Sequence, residues 1–189
     1  MRTKGTAQWH PAKEFLVIRG YAKLYDPDAV RDPALDMEAW DAVRGHLADG
    51  TVDRLKKAAG SERVHMLFCN TCSRNDAEKC YVCGYDIACV NLFGSRGADG
   101  FERVRLESCE YAVFEYKSTC ETALPSAHEE TDDFFWGKWL KSNPYDSAID
   151  NPANWQGNGF AAIEMYTPFD PDATTYHAIM LYPIIRKHK

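Results

Sequence analysis

The chain has 189 residues, 45% of them hydrophobic and 26% charged, with a formal net charge of −6, as expected of a globular protein with one sizeable core or two small subdomains sharing one. No apolar run approaches the roughly 20 residues of a membrane span, and "MRTKGTAQWHPAKEF" lacks the apolar core of a secretory signal. No Lys/Arg cluster stands out to neutralise phosphates on one face, so the chain is expected in the cytoplasm without a membrane or a direct nucleic-acid partner, and its acidic balance favours cationic or neutral small molecules.

In chain order, residues 15–25, "FLVIRGYAKLY", read as a strand. A helix starting at Asp36 carries Met37, Trp40, Val43 and Leu47 on one stripe. Gly50 breaks it, and "TVDRLKKAA" resumes with Val52, Leu55 and Ala59 on one face. Two strands follow, "RVHMLFCN" and "GYDIACVNL", and then the linker "GSRGADG". "FERVRLESCEYAVFEYKS" is a strand with a bend near Ser108–Glu110. Pro125 suits the first turn of a helix holding Ala127, Phe134, Phe135, Trp136, Trp139 and Leu140. "FAAIEMYT" and "TYHAIMLYPII" are the last two strands. The order strand–helix–strand–strand thus occurs twice, over about 12–93 and about 101–186. The expected fold is α+β, with two repeats forming a pseudo-symmetric body around a central ligand groove. The polar stretch 146–159, with Trp155, falls outside the repeat and is either a lid or a surface excursion.

Cys69, Cys72, Cys80 and Cys83 form two C-x2-C pairs across the hairpin tip 69–83. Two facing knuckles supply four thiolates at tetrahedral positions, the donor set of a structural zinc ion with no open coordination site. Disulfides would need an oxidising compartment, and a redox C-x-x-C would want a helix after it where a strand follows. Cys89, Cys109 and Cys120 read as small buried apolar residues. His65, His128 and His177 show no metal-ligand spacing, and each reads as a surface or satisfied core residue. The hydrolase, phosphate and dinucleotide signatures are absent, so no organic cofactor is expected.

Glu164 stands in mid-strand in "FAAIEMYTP", alternating in phase with Ala162 and Tyr166. A strand glutamate most often faces water. Here Tyr166 shares its face, and the helix "FFWGKWL" offers Trp136 and Trp139, three residues apart. A buried carboxylate ringed by aromatics attracts cations through charge and cation–π contacts, and burial would also suit it to general acid or base work.

"YAVFEYKS", "FFWGKWLKSNPYD", "AAIEMYTP" and "YHAIMLYPI", in this order and spacing, resemble the GyrI-like small-molecule-binding domain, the effector-binding module of bacterial multidrug-sensing transcription activators. The resemblance covers residues 101–186 and extends more loosely into the first half. It implies two strand–helix–strand–strand repeats around a groove. It implies Glu164 as the central ligand-contacting residue, with Trp136 and Trp139 beside it and Tyr111, Tyr116, Tyr166 and Tyr182 on flanking strands. The chain departs from the pattern in "KSTCETALP", in the long loop 146–159 and in the cysteine knuckles. About a dozen residues precede the first strand, too few for a helix-turn-helix, so a stand-alone member is expected. Its first expected function is to sense or sequester aromatic, cationic or electrophilic small molecules. The alternatives are a hydrolase of electrophilic cyclopropane-type toxins with Glu164 as general base, and a protein-interaction module of gyrase-inhibitor type. A protein partner or a second copy of the chain is the remaining partner class.

Overall fold

In a computed structural model, residues 4–20, 22–25, 34–68, 73–75, 80–94, 100–117, 130–131, 133–148 and 161–187 are described. Strands β1 (Thr6–His10), β2 (Lys13–Ile18) and β3 (Ala22–Tyr25) come first. Helices α1 (Ala34–Ala48) and α2 (Thr51–Ala59) follow, then β4 (Val64–Phe68), β5 (Ser73–Asn75), β6 (Cys80–Val90), β7 (Glu102–Leu106) and β8 (Cys109–Lys117). A π-helical turn, Phe135–Trp139, runs into Leu140–Ser142, and the two together are α3. β9 (Tyr145–Ser147), β10 (Ala162–Thr167) and β11 (His177–Arg186) complete an α+β architecture with a large antiparallel sheet.

The sheet order is β1-β8-β11-β10-β4-β6-β2-β7. Its two ends meet. Only Pro11 and Ala12 join β1 to β2, and only Glu107 and Ser108 join β7 to β8. Thr6 faces Val113 and Val17 faces Glu102 in one continuous register. Two bent strands, β1–β2 and β7–β8, therefore form a single ribbon whose halves belong to opposite ends of the order. With two residues between them, the strand ends stand at most about 11 Å apart, so the sheet must curl until it closes as a barrel.

Closure sorts the side chains. Phe15, Leu67, Ala88, Leu106, Ile163 and Leu181 form one buried cluster with no helix residue in it. That cluster is the barrel interior. The other cluster joins Leu16, Met66, Ile87 and Phe114 of the strands to Trp40, Val52, Leu55 and Phe135 of the helices. It is the outer face, covered by α1, α2 and α3.

Two glycines shape the path. Gly50 takes φ +75° between α1 and α2, a conformation that side chains rarely adopt. Gly20 lies where a Cβ would come 1.1 Å from the Tyr85 carbonyl oxygen. Its N–H donates to Asp86 Oδ1 at 3.0 Å, and Arg19 Nη1 donates to Asp86 Oδ2 at 2.9 Å. Here the chain expected as one strand over 15–25 divides into β2 and β3, both paired with β6. α1 begins two residues before Asp36, the expected cap. The strand expected over 101–118 divides at the anticipated bend. No helix among the described residues is long and apolar enough to cross a membrane.

Candidate functional site

Glu164 sits at the middle of the outer face. On β10 its cross-strand neighbours are Met66 of β4 and Met180 of β11. Through them the row continues to Ile87 on one side and Phe114 on the other. The even positions of β10 face outward, so Ala162, Glu164 and Tyr166 share the helix-covered side, and the alternation read from the sequence holds. Glu164 is only 2% exposed. Its carboxylate therefore lies on the covered face of the strand and not on a wet one.

The Tyr166 hydroxyl donates to Glu164 Oε2 at 2.5 Å. Burial pushes the Tyr166 phenol well above its ordinary value, and the Glu164 charge and its hydrogen bond raise it further. Tyr166 is thus held protonated, as a donor. Trp40 of α1 meets the Tyr166 ring edge-on, with centroids 5.5 Å apart.

On the opposite flank α3 brings a block of rings. Phe135, fully buried, stacks on Tyr182 with centroids 4.2 Å apart and planes 13° apart. The Tyr182 hydroxyl points to the Met180 sulfur at 3.7 Å. Phe114 takes edge contacts from Phe135, Trp139 and Tyr182. Trp139 also stacks on Tyr145 at 5.8 Å. Phe135 and Trp139, four residues apart, fall about 40° apart on an ordinary helix and both stay buried on the inner side through the π-helical turn. Trp136 is left only partly buried, edge-on to Phe135 at 4.8 Å.

Of the candidates drawn from the sequence, Glu164, Tyr166, Tyr182 and Trp139 come together, with Trp136 at the margin. Tyr116 is buried on the same face two strands away and stacks on Tyr176 at 6.2 Å. Tyr111 does not join them. It lies in the barrel interior, 2% exposed, with His10 edge-on at 5.3 Å. The odd positions of β8 turn inward, which separates Tyr111 from Tyr116. Trp40, Phe135 and Phe114 pack in the same cluster and were not among those candidates. The helical stripe containing Trp40 and the parity of Phe114 with Tyr116 are the signals that pointed to them.

Cys69 and Cys72 lie outside the described residues. Cys80 and Cys83 belong to the backbone of β6, paired with Asn75 and Lys23. Among the described residues no group of three or more His, Cys, Asp or Glu is placed to hold a metal ion. Cys89 and Cys109 are buried as expected, and burial pushes their thiols up to about 12 and about 11. Cys120, Pro125, His128 and most of the loop 146–159 lie outside the described residues.

No family model matches the chain, and no curated protein matches it. Solved structures do. SAV2435 bound to tetraphenylphosphonium aligns with a TM-score of 0.60 at 14% identity, over 97% of this chain and 94% of that one. The EcmrR C-terminal domain aligns at 0.53 and 10% identity, over 97% of this chain and 98% of that one. An integron cassette protein from the mobile metagenome of Vibrio cholerae aligns at 0.53 and 11% identity, over 96% and 95%. At these identities the likeness is one of fold, and that fold is in line with a GyrI-like small-molecule-binding domain.

Proposed function

We propose that the chain is a small-molecule-binding protein that takes bulky aromatic cations on the outer face of the barrel, around Glu164, and senses or sequesters them. One observation carries this reading: a 2%-exposed carboxylate, held by Tyr166, inside a shell of aromatic rings and methionines. A cation about 4 Å from such a carboxylate gains roughly 4 kcal/mol at an effective dielectric of about 20, before desolvation. Ring faces add about 0.5–2 kcal/mol. The tetraphenylphosphonium held by the structural neighbour is a ligand of this chemistry. The strand order supports the two-repeat reading as well. β2, β6, β4 and then β10, β11, β8 run outward from a centre where β4 and β10 meet, each half with its third strand between the other two. Glu164 lies on one of the two central strands.

The test is a titration of wild type and Glu164→Gln with tetraphenylphosphonium and with neutral triphenylphosphine oxide, read by tryptophan fluorescence or calorimetry. The variant should lose about tenfold or more for the cation, or about 1.4 kcal/mol, and less than about threefold for the neutral compound. Equal losses for both compounds would remove the charge argument.

A second reading is favoured by the 2.5 Å contact between Tyr166 and Glu164. In it Glu164 takes a proton from a water attacking a bound electrophile, and Tyr166 returns one to the opened product. Mass spectrometry of electrophiles incubated with the protein separates the two readings. A compound that gains the mass of water with wild type, and not with Glu164→Gln, makes the protein a hydrolase. Retention without change makes it a binder. Zinc on Cys69, Cys72, Cys80 and Cys83 stays within the proposal as a stabiliser of the hairpin between β4 and β6.

A further inference from the structure

A concavity opens at the strand ends beside Tyr166. It is a cleft of about 680 Å³ between α2, the residues leading into β4, and the segment that leaves β10. Its size falls within the roughly 300–1,000 Å³ of small-molecule sites. Val52, Val64, Met165, Phe169 and Ile179 give it its apolar lining. Tyr166 lines it as well, and its hydroxyl is engaged with Glu164.

The polar groups of this cleft differ in sign from Glu164, the centre of the proposed cation site. Arg63 lines it and is exposed, with no ion pair to its guanidinium among the described residues. Lys56 lines it too, its side chain 27% exposed, with Nζ 3.1 Å from an Asp53 carboxylate that is itself 79% exposed. Such an exposed pair is weak and leaves the ammonium available to a second anion. His177 is engaged elsewhere, with Nε2 2.6 Å from Glu115 Oε1. Among the described residues Glu62 is the one acidic group lining the cleft, and it is exposed to solvent.

We propose that this cleft binds an amphipathic anion, a carboxylate or sulfonate carried on an aromatic or branched apolar body. The guanidinium of Arg63 receives the anion in a bidentate contact and Lys56 adds a second charge. The apolar body lies against the Val52, Val64, Met165, Phe169 and Ile179 side chains. The site is independent of the cation groove, which lies on the far side of Tyr166.

The probe is 1-anilinonaphthalene-8-sulfonate, titrated by fluorescence at neutral pH and displaced with naphthalene-2-carboxylate. Arg63 is exposed, so Arg63→Glu is compatible with folding, and circular dichroism checks it. Arg63→Glu should weaken the sulfonate about tenfold or more, the size of one charge-assisted contact, and Lys56→Gln by a smaller factor. Tetraphenylphosphonium affinity should be unchanged in both variants, and Glu164→Gln should leave the sulfonate affinity unchanged. Loss of the sulfonate in Glu164→Gln, or its displacement by tetraphenylphosphonium, would mean that it sits in the groove and would overturn the proposal. So would an Arg63→Glu affinity within about twofold of wild type. Failure of the cation titration alone would strike the groove and leave the cleft standing.

Discussion

His65 gives the most direct test of barrel closure. It sits on the interior face of β4, 6% exposed, paired across the sheet with Ala88 and Met165 and edge-on to Phe15 at 5.6 Å. Burial lowers its pKa from 6.5 to about 4, and the positive charges of Lys13 and Arg63 act in the same direction against backbone contacts that raise it. The folded protein therefore holds His65 neutral where the unfolded chain would charge it. Stability from this group is complete above pH 6.5 and is lost as pH falls from there through 4. Between pH 7.5 and pH 5.0 these two values correspond to about 2 kcal/mol. His65→Gln removes the titration and keeps an amide of similar reach. Urea unfolding followed by tryptophan fluorescence at pH 7.5, 6.0 and 5.0 should show wild type losing about 2 kcal/mol more than the variant over that range. If both lose the same amount, His65 titrates as a hydrated imidazole and the sheet does not close around it.

Other outcomes follow from the same geometry. Tyr166→Phe withdraws a donor from the buried Glu164 and should destabilise the fold by about 1–3 kcal/mol, measured by thermal or urea unfolding. Above pH 10 wild-type stability should fall, because unfolded tyrosines ionise there while folded Tyr166 and Tyr176, the latter raised to about 12, stay protonated; Tyr166→Phe should flatten that limb. Gly20→Ala places a methyl against the Tyr85 carbonyl and should cost at least about 2–3 kcal/mol or prevent soluble expression. Metal analysis of the purified protein should find about one zinc per chain, lost together with stability in Cys80→Ser; a metal-free protein of full stability would dismiss the zinc knob.

Much of the centre of the molecule was legible because it follows short-range periodicity. The β10 alternation put Glu164 with Tyr166, and the helical stripe of α1 and α2 buried Trp40, Val43, Val52 and Leu55 as read. What was not legible depends on pairing partners far away in sequence. β1 shows one partly covered residue and four exposed ones, so its pattern carries no apolar signal, and it exists because β8 offers a ladder. β9, with three residues, exists for the same reason beside β11. The π-helical turn was also hidden. The inner pairing did not depend on it: at 3.6 residues per turn Phe135 stands about 40° from Trp139 and Trp136 about 60°, so the spacing of four was the closer one.

The register that closes the barrel also decides what Glu164 can do. A strand shifted by one residue exchanges its two faces. Shifted so, β10 would carry Glu164 into the interior among Phe15, Leu67 and Leu181, where an unpaired carboxylate is costly to charge. Met165 would then take its place beneath the helices. The observed register is over-determined from both sides, since Ile163 and Met165 pair with β4 and with β11 at once. Ile163 and Ala161 are held inside by the hydrophobic effect, and that placement turns Glu164 outward, under α1 and α3, with Tyr166 two residues on to receive it. The charge of the site is thus positioned by the apolar residues that alternate with it. A substitution such as Ile163→Asp should therefore damage cation binding and folding together, whereas Glu164→Gln, on the opposite face, should damage the first and spare the second.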